Sequence, residues 1–260
     1  MYKNLTPLKV ADHASLRLLP VTDYHFARGE LVAPIVIDEL ADVAREYPIV
    51  FPVGSSLPVA MMGVEQGANA YVDANGQWLA IYIPAHIRHY PLALTSLPAE
   101  TPPAGPSAQT QSRGRFAVLV DVESPFVSAL SGDALFNADG KLGQAAQPKL
   151  RIMEQMQKRV GVTQRLVQAI DEAGLLAERP IRIQRGGEPD RQVTGVRVID
   201  EAVLNKLGDE AFNKLRASGA LPVVYASLLS WANFRQGPIG RSHPLPPPAG
   251  LLDDDVIRFN

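Results

Sequence analysis

Residues 48–95 fall into apolar runs of strand length, PIVFPV (48–53), VAMMGVE (59–65), NAYVDANGQWLAIYI (69–83) and YPLALT (90–95), with Gly, Pro or Ser in the breaks. Short runs rich in β-branched and aromatic residues read as strands, and none of these breaks is long enough to hold a full helix. A steady βαβ rhythm is therefore excluded here, and antiparallel pairing is expected. Asn75-Gly76 is a two-residue hairpin signal, which makes GQWLAIYI the return strand of a hairpin.

The flanking sequence adds strands and then helices. HASLRLLPV (13–21) reads as a strand, and ELADVAREY (39–47) as a helix with Leu40, Val43, Ala44 and Tyr47 on one face. Pro48 ends that helix. RFAVLVDV (115–122) is another strand, and FNADGKLG (136–143) carries a turn at Asp139-Gly140. A long helix follows over 148–173, with Leu150, Met153, Met156, Val160, Val167 and Ile170 near one stripe and Gly174 just past its end. Gly161 is a place where it could divide. IRIQRG (181–186) and VTGVRVID (193–200) form a strand pair around a Gly-Gly-Glu-Pro-Asp loop. Asp200 caps a helix through Leu207 and Asp209 one through Ala217; Gly219 stops the second, and Pro222 opens a last helix carrying Tyr225, Trp231 and Phe234. The fold class expected is α+β: a mostly antiparallel sheet in the first half, with helices packed from the C-terminal half, as a single compact unit.

The domain reading is one domain over 1–235, with a flexible loop at 98–114, PAETPPAGPSAQTQSRG, and a Pro-rich tail over 236–260. The tail holds a PLPPP segment, an acidic run Asp253–Asp255 and a closing Val256-Ile257-Arg258-Phe259 apolar enough to dock on the body or on another subunit.

Composition excludes several chemistries. With no cysteine there are no disulfides, thiolate nucleophiles, zinc–cysteine sites or iron–sulfur clusters. A net charge of −2 gives no reason to expect a nucleic-acid partner. The longest apolar stretches are too short and too polar for membrane insertion, and no signal peptide is visible at the N-terminus. The cytoplasm is the default location, with a peripheral site or export by a non-classical route as the alternative.

GQWLAIYIPAHIRHYP (76–91) holds the densest set of chemically active side chains. His86 and His89 are three apart, an acceptable metal-ligand spacing, but no third ligand or second histidine cluster accompanies them, so no metal is expected. The alternative is a polar rim where the strand ends. Arg88 is a bidentate donor and the histidines charge near neutral pH, so His86, Arg88 and His89 are candidates for holding a small anionic ligand. Asp121 and Glu123 end a strand on the same face, either as a polar strand end or as a carboxylate pair, and join the candidate binding residues. No catalytic residue can be assigned. GxGxxG, Walker A and GxSxG sequences are all absent, so no cofactor is expected. The acidic pairs Asp38-Glu39, Asp171-Glu172, Asp200-Glu201 and Asp209-Glu210 read as helix caps or solvated faces. The last helix, apolar on more than one face, reads as a core helix or a subunit interface.

YPIVF (47–51), NAYVDANGQWLAIYIPAHIRHYPL (69–92), LFNADGKL (135–142) and GVRVIDEAVLNKLGDEAFNKLRASGALPVVYASLLS (195–230), in this order, resemble the bacterial SapC family. That resemblance covers nearly the whole chain apart from the 98–114 loop and the tail. It implies a link to a paracrystalline surface layer and to genes for outer-membrane receptors, and it brings no established catalytic residues. The family pattern more usually has an aromatic at the position of His86 and arginine at that of His89, leaving Arg88 as the steadiest element of the turn.

The function expected is a non-catalytic accessory or binding protein of a bacterial envelope, surface-layer or nutrient-uptake system, acting through a protein partner or a second copy of itself. The alternative is a cofactor-independent enzyme, or an enzyme's partner subunit, acting on a small molecule or peptide near Arg88.

Overall fold

The computed structural model describes residues 1–97, 116–183 and 191–242. The 98–114 loop, the Gly-Gly-Glu-Pro-Asp loop and the tail from residue 243 lie outside the described residues. The elements in chain order are β1 (Leu5–Pro7), α1 (Val10–His13), β2 (Arg17–Leu18), β3 (Val32–Pro34), α2 (Leu40–Glu46), β4 (Ile49–Pro52), β5 (Val59–Met61), α3 (Ala85–Arg88), β6 (Leu92–Ser96) and β7 (Phe116–Asp121). They continue with β8 (Val127–Ser128), β9 (Asp133–Ala134), α4 (Gln147–Glu172), β10 (Leu176–Glu178), β11 (Ile181–Ile183), β12 (Arg191–Val193) and β13 (Val196–Ile199). The described chain closes with α5 (Glu201–Leu204), α6 (Asp209–Ser218), α7 (Leu221–Ser230), α8 (Asn233–Gln236) and α9 (Pro238–Ser242). Every pairing of these strands is antiparallel, and the fold is α+β.

Contacts cluster into two compact units: residues 1–22 with 88–155, and 23–87 with 156–260. The first holds two three-stranded sheets, β1-β7-β6 and β8-β2-β9. β7 is the centre of its sheet, pairing Leu5 with Asp121 on one side and Leu92 with Val120 on the other. Leu18, Leu92, Val120, Leu135, Ala146 and Met153 form its core.

The second unit is built on the five-stranded sheet β10-β13-β4-β5-β3. α7 lies against β4, β13 and α2. Its side toward β4 is apolar except for Ser227 and Ser230, and both serines are fully buried. Ile49 explains them. Its N–H donates to Ser230 Oγ at 2.9 Å, Ser227 Oγ donates to its carbonyl at 3.1 Å, and Ser230 Oγ donates in turn to Ser227 O at 2.6 Å. The hydroxyls thus satisfy strand groups that would otherwise be buried without partners. Ser230→Ala leaves the Ile49 N–H unpaired, and an equilibrium urea titration is expected to show a loss of about 2 kcal/mol at unchanged m.

Local sequence and structure agree best where the signal is a helix or a core strand. On α2 the predicted face is buried, with Leu40, Val43 and Tyr47 inside. α4 runs through Gly161 without a break and stops at Gly174, whose φ of 71° suits a left-handed cap; Leu175 N–H donates back to Ile170 O at 3.2 Å. Elsewhere the expectations need correction. The strand expected over 13–21 is reduced to Arg17–Leu18: His13 belongs to the helix Val10–His13, and only Arg17 and Leu18 pair with β8 and β9. The helix expected from Asp200 through Leu207 stops at Leu204, although Asp200 does cap it by accepting Val203 N–H at 3.1 Å. Gly208, rather than Asp209, sits at the cap of α6. The last helix is three segments, with Trp231 at the end of α7 and Phe234 on α8. Helix continues through α9, where Ile239 is buried.

The clearest departure is the hairpin over 69–83. A two-residue turn of the expected kind needs Asn75 in the left-handed region, and Asn75 does not adopt positive φ. Asp73 leads the turn instead: its Oδ1 accepts the N–H groups of Asn75 and Gln77, both at 2.8 Å, while Gly76 alone takes a left-handed φ of 79°. Pairing around the turn is limited to the bridge Val72–Trp78, and the return strand does not form.

Candidate functional site

Of the five residues singled out from the sequence, Arg88, His89, Asp121 and Glu123 lie in the first unit, and His86 belongs to the second. The first unit brings His89, Asp121 and Glu123 together through the N-terminal segment.

Asp121 is the last residue of β7 and is fully buried. Oδ2 accepts the Lys3 N–H at 3.0 Å and the Tyr90 hydroxyl at 3.3 Å; Oδ1 accepts the Asn4 N–H at 2.9 Å and the Glu123 N–H at 3.3 Å. Four donors meet the roughly four lone-pair sites of a carboxylate. Glu123, by contrast, is exposed and accepts from the Asn4 side chain at 3.0 Å. The two acids are therefore joined through Asn4, and Asp121 turns its oxygens to the chain's own N-terminus.

His89 is buried beside them. Its Nδ1 is 2.7 Å from Leu92 O, and since a carbonyl can only accept, Nδ1 carries the proton in that contact. The Tyr2 hydroxyl donates to the same carbonyl at 2.9 Å, and the Tyr2 and Tyr90 rings pack at 5.6 Å between centroids. Tyr2, Lys3 and Asn4 thus hold one end of the β6–β7 pair, where Leu92 opens β6 and Asp121 closes β7. Burial pushes the Tyr90 phenol up.

Arg88 is exposed, and its carbonyl faces a lysine that the sequence reading passed over. Lys149, in the first turn of α4, donates from Nζ to Tyr90 O at 2.6 Å and to Arg88 O at 3.3 Å. Burial pushes its pKa down to about 8. Nothing in a single sequence signals a contact across such a separation. Arg88 and Lys149 together place two cationic side chains at the turn before β6.

His86, half-buried on α3, differs from the expectation that it charges near neutral pH. Burial pushes its pKa down to about 4, so it is neutral at pH 7 and contributes no positive charge to an anion site. The folded value lies below the ordinary 6.5, so the unfolded chain binds the proton first as pH falls. Stability from this group is complete above pH 6.5 and is lost between about 6.5 and 4, by up to about 3 kcal/mol. Urea midpoints at pH 7 and 4.5 measure the loss, and His86→Phe is expected to make it smaller.

The second unit contains the polar centres that sequence reasoning missed most completely. Glu39, read as a capping or solvated acid, is 5% exposed. Oε2 accepts the Val36 N–H at 3.2 Å; Oε1 accepts the Tyr82 hydroxyl at 2.9 Å and the Ala85 N–H at 2.8 Å. The spacing of Val36 and Glu39 is that of a reciprocal helix-start contact, which is the one local clue to this role. Glu46 performs a similar task at the other end of α2, accepting Ile81 N–H at 2.8 Å and Tyr82 N–H at 2.6 Å. That clamp replaces the strand pairing expected for GQWLAIYI and holds Ile81 94% exposed, with Leu79 53% exposed beside it.

Behind the clamp stands an aromatic stack. Tyr47 and Tyr71 are buried, with ring centroids 4.3 Å apart, and Trp78 lies 6.4 Å from Tyr71 and 5.3 Å from Tyr24. Trp78 Nε1 donates to the Tyr47 hydroxyl at 2.8 Å, which donates to Tyr82 O; the Tyr71 hydroxyl donates to Glu46 O at 2.6 Å. Burial pushes both phenols up, so they stay protonated donors.

Among the described residues, no group of three or more His, Asp or Glu is arranged to hold a metal ion. No helix among them is long and apolar enough to cross a membrane.

A family model described as SapC matches residues 8–236. The chain belongs to the SapC family. No curated protein and no solved structure matches it. The SapC match contains His86, Arg88, His89, Asp121, Glu123 and Lys149, together with Glu39, Glu46 and all of α7. Tyr2, Lys3 and Asn4 precede the matched SapC region, so the three residues that engage His89, Asp121 and Glu123 are supplied from outside it.

Proposed function

We propose that the protein is a non-catalytic accessory or binding protein of a bacterial envelope, surface-layer or nutrient-uptake system, working through contact with another protein from the cytoplasmic or peripheral side. The observation that carries this reading is the Glu46 clamp. Buried carboxylates such as Asp121 and Glu39 are occupied by internal donors, whereas Leu79 and Ile81 are held out to solvent on a backbone fixed by two charge-assisted hydrogen bonds. A rigidly presented apolar residue loses little entropy on docking, which is how an interface anchor gains affinity. A pulldown from the native host with crosslinking and mass spectrometry tests it. A stoichiometric partner crosslinked near residues 79–82, and lost with Ile81→Asp at unchanged thermal stability, is the expected result. A partner retained by Ile81→Asp removes the clamp from the interface, and a preparation without any partner sinks the reading.

The Arg88–Lys149 pair favours a second reading, in which this turn holds a small anionic ligand for a cofactor-independent enzyme or an enzyme's partner subunit. Arg88→Ala is expected to leave the melting temperature within about 1 °C of the parent, since Arg88 is exposed. The same change should abolish thermal stabilisation by phosphate or citrate. If those anions stabilise both proteins equally, Arg88 has no part in anion binding.

A further inference from the structure

Lys149 is half-buried in the first turn of α4, yet among the described residues no carboxylate pairs with it. Its partners there are two carbonyl oxygens, Tyr90 O at 2.6 Å and Arg88 O at 3.3 Å. An ammonium taken out of water is ordinarily matched by an acid, and two neutral carbonyls offset less of its lost hydration. Burial accordingly pushes its pKa down to about 8, and roughly a tenth of the side chain is neutral amine at pH 7. Deprotonation leaves the cage intact. An ammonium has three N–H groups and an amine two, and two carbonyls are present. The neutral amine keeps both donors where they are, and its lone pair takes the place of the third proton, which no acceptor meets among the described residues. A lone pair held in this way is a nucleophile whose direction is already set.

We propose that Lys149 is a Schiff-base site for the aldehyde or ketone group of a small molecule. The nitrogen lone pair forms the C–N bond as the carbonyl π pair moves to oxygen, which takes up a proton. The nitrogen gives up a proton in turn, and loss of water leaves C=N. Amine and carbonyl compound thus give imine and water, with no other reactant. Protonated, the imine keeps one N–H, which stays on Tyr90 O, the shorter of the two contacts. The product is then a cation beside the same two carbonyl dipoles that held the ammonium. Carbamylation would set an anion against those oxygens and acylation would leave a neutral amide, so the carbonyl pair selects the iminium among these products of a lysine. The inference concerns the turn at which the second reading above places an anion, but it does not rest on that reading.

Reductive trapping on the unmodified full chain tests it. The protein is incubated with propionaldehyde, an uncharged probe, and cyanoborohydride, and the labelled peptides are followed by mass spectrometry. At pH 7 Lys149 is expected to be trapped at least tenfold faster than Lys141, an exposed lysine of the same unit. Trapping of Lys149 no faster than Lys141 overturns the proposal. N-acetyl-lysine amide in the same tube supplies a pH readout, since an ordinary lysine side chain loses its proton only near about 10.4. The rate of Lys149 relative to that compound should fall as pH rises from 7 to 10, because the Lys149 amine is already mostly neutral past about 8. A ratio that does not change with pH assigns the labelling to access alone and also overturns the proposal. Arg88→Ala keeps the Arg88 carbonyl and should leave trapping within about twofold of the parent. A larger fall would mean that the guanidinium, not the carbonyl pair, sets up the amine, and would sink the argument. Because propionaldehyde is uncharged, trapping can succeed where phosphate and citrate fail to bind, and the reverse, so the two readings of this turn stand or fall separately.

Discussion

Glu39→Ala is expected to cost about 4 kcal/mol of unfolding free energy, the largest effect of any single substitution considered. The carboxylate is nearly inaccessible and accepts from the Val36 N–H, the Ala85 N–H and the Tyr82 hydroxyl. Alanine removes the acceptor of all three donors at once, and each buried donor left unpaired costs on the order of 1–3 kcal/mol, partly recovered if water enters. In a domain of this size the corresponding drop in Tm is about 10 °C. Glu39→Gln keeps one acceptor oxygen and brings an amide donor against the donors already there, so a loss of roughly half is expected. Thermal and urea unfolding of both variants measure the effect. A loss below about 1 kcal/mol for the alanine variant would mean that Glu39 is solvated and that the segment around Tyr82 and Ala85 is held by other contacts.

The second large effect is Asp121→Ala, expected at about 3 kcal/mol and, more tellingly, local in its consequence. Its oxygens accept the backbone N–H groups of Lys3 and Asn4, and Asp121 is also the residue opposite Leu5 in the β1–β7 register. Losing it should free residues 1–7 from the sheet before the rest of the unit unfolds. Limited trypsin digestion gives the readout, because Lys3 is itself a cleavage point: cleavage there should become at least tenfold faster. Glu123→Ala serves as the comparison. It removes an exposed acceptor of the Asn4 side chain and is expected to change stability by less than about 0.5 kcal/mol. Similar effects from both substitutions would restore the idea of an equivalent carboxylate pair.

The behaviour of these two acids shows how little of a polar site is written locally. Asp38-Glu39 and Asp171-Glu172 look alike as sequence, yet Glu39 is buried with three donors while Asp171 sits on the surface pairing with Arg197 at 3.1 Å. Asp121 and Glu123 were legible as the end of one strand, but their division into a buried hub and an exposed neighbour depends on Lys3 and Asn4, which arrive from the start of the chain. Lys149 gave no signal at all, since its partners are two carbonyl oxygens and every residue has one. The opening run GQWLAIYI carried a strong strand pattern that the Glu46 clamp overrode: two hydrogen bonds to a carboxylate satisfied the Ile81 and Tyr82 amides.

From the sequence alone followed the α+β class, the antiparallel habit of the short strands, the buried face of α2, the long α4 with its Gly174 stop, and membership of the SapC family. Each of these rests on near neighbours, on helical or strand periodicity, or on ordered blocks of residues. Tertiary structure alone decided which acids became hubs, where Ile81 would point, and that α7 serines would satisfy Ile49. Those outcomes depend on whether a buried N–H or carbonyl finds its partner across the fold, and such pairing is settled only when distant segments meet.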